Sequence, residues 1–261
     1  MAARAMWKGR IRFGDVDVPV KLYSAVQDQA VHFRLLDAKR KEPIKQQMVD
    51  PETGDVVEYA SVRKAYETED KELVILDPEE LAELEPPESR EIEVTRFVPL
   101  EAISHVWYDR PYYLGPDDNA AGYFALAKAL RSQEREGVAR WVMRKKEYVG
   151  SLRPEGDYLM LMTLRHAGEV VPASALKAPA GRELDEREVR MARQLVEAMS
   201  GEFDIAAYRD EYRERVLDLV QAKAAGKVIK FPKAEKKTEE KSLADVLERS
   251  LQVAKKEKKS A

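Results

Sequence analysis

The stretch "WKGRIRFGDVDVPVKLYSA", residues 7–25, decides the fold. In an extended strand successive side chains point to opposite faces, so Lys8, Arg10 and Arg12 share one face and Trp7, Ile11 and Phe13 the other. After Gly14-Asp15 the same period returns as Val16, Val18, Val20 and Leu22, which predicts a hairpin around a tight turn. Pro19 predicts an edge position or a bulge in the second strand. Three alternating cations read either as a solvated outer face or as a surface for a polyanion.

Further segments alternate or are rich in β-branched residues: 92–98 (IEVTRFV), 138–144 (VARWVMR) and 158–165 (YLMLMTLR), with additional candidates at 31–36, 56–60, 73–76 and 105–109. So many strands on short turns predict a mixed, mainly β fold, an antiparallel sheet closed into a barrel or folded as a sandwich. A helix is expected over 118–131, starting near Asp117 or Asp118, with Ala120, Phe124, Ala127 and Leu130 or Arg131 on one face. A helical turn at 78–84 begins with Asp77 and Pro78. Beyond Pro179 the period becomes helical, over 183–199 to Gly201 and again from Asp204 to Gly226, with Tyr208 and Tyr212 read as packing residues.

The chain of 261 residues, 44% hydrophobic, lacks an apolar run long enough for a bilayer, and "MAARAMWKGR" has no signal-peptide core. Without cysteine there are no disulfides or thiolate metal sites, and a cytoplasmic location is expected. The net charge of −3 conceals a division: residues 227–261 hold eleven Lys or Arg against six Asp or Glu, and residues 1–226 hold 34 against 42. Residues 69–93 carry eleven acids and two bases, whereas 34–45 carry five bases and two acids. An acidic total therefore leaves room for a polyanionic partner, because the field along one surface decides binding.

The linker 227–241, "KVIKFPKAEKKTEEK", is too charged to hold a core and is read as disordered. After it, Ser242 and Asp245 form a capping-box pattern ahead of the stripe Leu243, Val246, Leu247, Leu251 and Ala254. A helix this short is marginal alone in water, so the stripe folds back on the protein or meets a partner.

Catalytic signatures are sparse. His32, His105 and His166 are far apart in sequence without metal-ligand spacing. There is no phosphate-cradling glycine loop and no G-x-S-x-G elbow, and Ser61 to Lys64 matches S-x-x-K without companion motifs. No cofactor, metal or catalytic activity is expected.

Several segments, in order, resemble bacterial Ku: "GRIRFGDVDVPVKLYSA" at 9–25, "VPLEAI" at 98–103, "YDRPYYLGP" at 108–116, "YFALAKAL" at 123–130, "LRPEGDYLMLMTLRHAGEV" at 152–170 and "GEFDIAAYRDEYRERVLDLVQAKAAGK" at 201–227. The resemblance spans residues 6–227. It implies a Ku-type antiparallel β-barrel over 1–180, with an insertion at about 26–91 that arches over DNA as a bridge and an inserted helix at 118–131. A C-terminal helical arm over 181–226 and a flexible basic tail with a short amphipathic helix over 227–261 complete the expected organisation. It further implies a homodimeric ring, threaded without sequence preference by double-stranded DNA ends, that acts in non-homologous end joining and recruits the ATP-dependent DNA ligase D. A nucleoid-associated cytoplasmic protein is expected on the same basis. Two departures stand out: Asp15 at a turn position often apolar in relatives, and no cysteines in 46–57, which removes any case for zinc there.

By resemblance, Lys8, Arg10 and Arg12 lie near the DNA cradle, and Arg34, Lys39, Arg40, Lys41, Lys45, Arg63 and Lys64 lie in the bridge. Arg140, Arg144, Lys145 and Lys146 lie on a strand near the channel. Lys255, Lys256, Lys258 and Lys259 are candidate tail contacts to DNA, and Leu243, Leu247 and Leu251 a candidate ligase-docking stripe. Lys and Arg suit sequence-independent phosphate contact, whereas base readout favours Asn, Gln or Arg on a recognition helix. The chain has a single Asn, Asn119, and no helix-turn-helix signature. The acids of 69–93 are expected to face away from phosphates. Two rivals remain, a Mg²⁺-dependent nuclease built on those acids and a scaffold whose cations are merely solvated.

Overall fold

A computed structural model of the chain describes residues 4–177, 181, 185–227, 247 and 249–252. The elements in order are β1 (Trp7–Phe13), β2 (Val16–Ser24), β3 (Lys64–Glu67), β4 (Leu73–Leu76), α1 (Pro78–Glu83), β5 (Glu91–Pro99), β6 (Tyr108–Pro116), α2 (Ala120–Ser132), β7 (Arg135–Met143), β8 (Lys146–Glu155), β9 (Tyr158–Leu164), α3 (Glu186–Met199) and α4 (Glu211–Ala224). Contacts group residues up to 29 and 33–175 into a barrel unit, and 30–32 with 176 onward into a helical unit.

The opening hairpin forms as its alternation predicts. β1 and β2 pair from Phe13↔Val16 to Trp7↔Leu22 without a break, and Gly14 takes the positive φ of +53° in the turn. Ile11, Val20 and Leu22 are fully buried, with Lys8, Arg10 and Arg12 exposed. Pro19 differs from expectation, because β2 is flanked by both β1 and β6 and carries no bulge against β1. The β2–β6 register runs from Val20↔Pro116, and the Asp117 N–H donates to the Pro19 carbonyl. A strand residue's N and O point to the same side, so the donor that proline lacks faces the flank where β6 has already ended.

Seven strands close into a barrel in the order β1-β2-β6-β9-β8-β7-β5. The barrel is antiparallel as expected except at the closing pair. β1 and β5 run parallel, with Arg10↔Glu91, Ile11↔Ile92 and Arg12↔Glu93 in register. Parallel neighbours need a long crossover, and residues 25–90 between β2 and β5 supply it. Inside lie Ile11, Ile92, Leu114, Ala139, Leu152, Leu159 and Leu161, each fully buried. Packed with them is α2, whose Tyr123 hydroxyl donates to the Leu114 carbonyl and accepts from the Leu159 N–H at 2.7 Å.

Helix α2 starts at Ala120 behind Asn119, whose side chain accepts from the Gly122 N–H at 3.0 Å, rather than behind Asp117 or Asp118. Its buried face is Tyr123, Leu126, Ala127 and Leu130. Phe124, expected inside, is exposed and packs edge-on against Tyr123 and Tyr158. Strands β3, β6 and β8 were not anticipated over their lengths. β6 contains Pro111, accommodated by a register shift between Tyr108 and Pro111, and residues 105–107, expected to be extended, form a 3₁₀ turn before it. β8 contains Gly150, where a Cβ would stand 2.3 Å from the Met162 carbonyl oxygen and 2.5 Å from the Trp141 ring. Of the other candidates, 73–76 is a strand, whereas 31–36 and 56–60 contribute only the isolated bridges Leu36↔Pro43 and Val49↔Val56.

The insertion builds no core of its own. Most of its residues are exposed, including Phe33 at 68%, Tyr59 at 82%, Tyr66 at 66% and Leu73 at 69%. In the helical unit, α3 is capped by Asp185. The helix expected to run from Asp204 is split: Asp204 caps a 3₁₀ turn, Ile205–Ala207, and α4 begins only after Asp210, whose side chain accepts from the Arg213 N–H at 2.9 Å. Each aspartate competes for its local backbone donors, and that breaks one periodic stretch into two elements. The expectations for Leu184 and the 242–245 capping box lie outside the described residues.

Substitution Gly150→Ala should therefore cost about 1–3 kcal/mol by overpacking, read as a lower Tm by circular dichroism, while Gly168→Ala, with no atom within 4 Å of the added Cβ, should leave Tm nearly unchanged. Equal melting of the two variants would overturn the packing described at β8.

Candidate nucleic-acid interface

Pairing across the barrel wall sets the electrostatics of the cation ladder. Lys8 stands directly opposite Lys21 on β2, an unfavourable like-charge pair. Both ammonium groups converge on Asp117, just past the end of β6, with Lys21 Nζ 2.6 Å from Oδ1 and Lys8 Nζ 2.9 Å from Oδ2. The two cations, Lys21 foremost, hold the Asp117 carboxyl below its usual range, and Asp117 raises Lys21 in return. Arg10 Nε lies 2.7 Å from Asp17, and Arg12 Nη1 lies 2.6 Å from Glu91. The hydrogen bond to its carboxylate raises the pKa of each guanidinium, and Asp17 is lowered by Arg10.

The neighbouring strands extend this mixed pattern. Glu93 on β5 pairs in register with Arg12 on one side and Arg140 on the other, so the exposed row reads cation, anion, cation. Lys145 Nζ lies 2.8 Å from Glu85. Three acids of 69–93, Glu85, Glu91 and Glu93, thus stand among the candidate cations. Register forces this, because β5 is the strand that closes the barrel against β1. Farther along β7, the fully buried Glu136 accepts from the Tyr108 hydroxyl at 2.9 Å and from Ser151. Burial, then the bond to Glu136, pushes the Tyr108 phenol up to about 12.

One place collects cations with fewer counter-charges. A cavity of about 440 Å³ is lined by Lys8, Arg90, Arg144 and Lys145, with Trp7 and Glu88 beside them. Arg90 immediately precedes β5, where the insertion re-enters the barrel, and its carbonyl accepts from the Arg10 N–H at 2.8 Å. Arg144 and Lys145 are the two residues of the β7–β8 turn, with φ of +52° and +63°. A two-residue hairpin of this kind favours Asn-Gly, and side-chain-bearing residues held at positive φ mark a position where strain is retained. Arg90 was missed in the sequence because it lies within the most acidic stretch of the chain; the signal for it is the spatial closure of β5 on β1.

The remaining candidates are dispersed. Among the described residues no ion pair reaches Arg34, Lys39, Lys41, Lys45, Lys64, Arg140 or Arg144. Arg40 sits 3.9 Å from Asp37 and 3.8 Å from Glu42, and Arg63 4.0 Å from Asp77. Lys146 Nζ lies 5.5 Å above the Tyr148 ring. Leu247 and Leu251 are partly buried, and Leu243, Lys255, Lys256, Lys258 and Lys259 lie outside the described residues. Among the described residues no three His, Asp or Glu side chains are grouped to hold a metal, and no helix is long and apolar enough to cross a membrane.

Residues 12–191 match the family model described as "Ku70/Ku80 beta-barrel domain". The chain is 35% identical over 270 residues to a Non-homologous end joining protein Ku of Coxiella burnetii, covering 100% of this chain and 98% of that protein. It is 37% identical over 255 residues to the protein of that name from Anaeromyxobacter, at 97% and 86% coverage, and 36% over 228 residues to that of Mycolicibacterium smegmatis, at 85% and 72%.

The shared Asp117 contact is testable by carbon-detected NMR titration. Asp117 should half-protonate below the ordinary value of 3.8 and move up toward it in Lys21→Ala. Because the folded value is depressed, the contact contributes stability at neutral pH that is lost as pH falls through the folded pKa. An unshifted Asp117 in the unsubstituted protein would overturn the two-cation contact.

Proposed function

The chain belongs to the Ku family, and from that premise we propose that it binds ends of double-stranded DNA without sequence preference, as a threaded homodimeric ring in non-homologous end joining. The observation that carries the reading is the cavity where Lys8, Arg90, Arg144 and Lys145 meet at the foot of the insertion. Phosphates are the chemistry such a cluster selects, and a sequence-independent binder derives its affinity from releasing their counterions. Pairing of Arg10 and Arg12 with carboxylates does not oppose this. Exposed ion pairs contribute only about 0–1 kcal/mol, so a phosphate competes for those cations at little cost.

In this reading residues 25–90 are the arch over the duplex, with Arg34, Lys39, Lys41, Lys45 and Lys64 available to it. The many exposed apolar residues on α3 and α4 favour a second copy as partner, since exposed apolar surface marks an interaction site. The tail completes the function, with Leu243, Leu247 and Leu251 docking the ATP-dependent DNA ligase D and Lys255, Lys256, Lys258 and Lys259 adding phosphate contact. The protein itself performs no catalytic step.

A mobility-shift assay at two salt concentrations, with linear duplex challenged by the same sequence as a closed circle, tests the ring. Strong salt dependence with poor competition by circles is expected; equal competition would overturn threading, and no binding at low salt would overturn the whole reading. The double substitution Arg144→Asn, Lys145→Gly should relieve turn strain of about 1 kcal/mol per residue. It should thus raise Tm while lowering DNA affinity and reducing the salt slope by about 0.9 per lost phosphate contact. Unchanged affinity would remove this turn from the interface. Deleting residues 228–261 should leave end binding largely intact and weaken stimulation of the ligase; undiminished stimulation would remove the tail's docking role.

A further inference from the structure

Helix α3 carries an apolar groove that a leucine of the tail also lines. Val189, Ala192 and Val196, spaced at three and four along one face, line a cavity of about 590 Å³ with Glu188, Arg193 and Glu197 beside them. The remaining lining residue from outside the α3 segment is Leu247 of the tail. Residues 247 and 249–252 are helical, and their burial follows the stripe: Leu247 and Leu251, four apart, are partly buried, whereas Arg249 and Gln252 are exposed. Ser250 is partly buried as well, so the described residues turn one helical face, Leu247, Ser250 and Leu251, away from solvent.

We propose that Leu247 and Leu251 seat in the α3 groove of their own chain, so that α3 and the ligase compete for the same leucines. The competition rests on the docking role proposed above; the seat itself does not. Chain length permits it, since the 20 residues from Lys227 to Leu247 reach at most roughly 70 Å when extended. Energetics favour it in turn. A helix of this length is marginal alone, and Leu247 lines the same apolar cavity as Val189, Ala192 and Val196, so the groove offers the tail apolar contact that it lacks in water. A ligase that offers the leucines a better groove then displaces α3, and release of the tail is coupled to recruitment.

The chain contains no cysteine, so pairs can be introduced without background. Val196→Cys with Leu247→Cys should form an intrachain disulfide under mild oxidation, seen as a faster-migrating monomer that dithiothreitol reverses. Formation should be at least tenfold faster than for Val220→Cys with Leu247→Cys, whose α4 partner is also exposed. A rate equal to the Val220 control, or a disulfide-linked dimer in place of the monomer, would overturn the seat. In the full-length Ala192→Glu chain the groove is blocked by a charge, and affinity for ligase D should rise severalfold. Unchanged affinity beside a fast Val196 disulfide would overturn the competition. Absence of ligase binding by either chain would remove the docking role and leave the seat, read from the disulfide alone, standing.

Discussion

The pairing of β5 against β1 is the constraint on which the barrel and the candidate interface both depend. It is the parallel contact in an otherwise antiparallel wall, and it joins Ile11 to Ile92 across most of the first third of the chain. Hairpins alone would leave β1 and β5 as open edges, each a row of unpaired backbone groups. Closure satisfies those groups and requires the chain to leave β2 at Ser24 and return beside β1 at Glu91. The entropic cost of so long a detour grows only logarithmically with its length, so a large exposed insertion is compatible with a tightly packed barrel. The same closure places both feet of the insertion on the barrel wall, one of them Arg90 beside the β7–β8 turn.

Closure also governs the charges. A ladder of Lys8, Arg10 and Arg12 on an isolated hairpin would be a positive stripe, but β5 brings Glu91 and Glu93 against it and β2 brings Asp17. Opposite charges on neighbouring strands help fix register, because a slip of one residue would replace attraction by misplaced side chains. The ladder therefore has a structural role that needs no ligand. Cations outnumber their acidic partners instead at the cavity shared by Lys8, Arg90, Arg144 and Lys145, which Glu88 also lines. For the proposed DNA partner, the surrounding exposed pairs would exchange cheaply around that cluster.

Legibility followed the range of the interactions. β1, β2, β5 and β9 announced themselves because period-two alternation is local, and α1 because Asp77 and Pro78 are local capping signals. β6 and β8 were hidden by Pro111 and Gly150, residues that oppose strand propensity and are accepted for tertiary reasons, a register shift in one case and the crossing of Trp141 in the other. The split before α4 turned on whether Asp204 or Asp210 caps the longer helix, a choice that periodicity does not make. Among candidate site residues, Lys8, Arg144 and Lys145 were readable as cations, but their convergence with Arg90 depends on closure between segments more than 80 residues apart and on a turn with positive φ. No one-dimensional pattern encodes that.

The apolar surfaces of the helical unit raise a different physical problem from the barrel's charges. Phe203, Ile205, Tyr208 and Tyr212 are all well exposed, as is Val196 on α3. A solvated face of this composition is costly to keep in water and invites nonspecific association. Two kinds of cover answer the problem at different strengths. A second copy would bury a broad area and suits permanent assembly, whereas a single short helix buries a few leucines and exchanges readily. If the tail takes the groove around Val189, Ala192 and Val196, the exposed aromatic residues remain for a second copy, and a lasting interface is then separate from a reversible one within the same helical unit. Reversibility is what recruitment demands: a docking stripe left bare would associate nonspecifically, and one buried permanently would recruit nothing. A helix too short to fold alone, exchanging between two grooves, would meet both requirements.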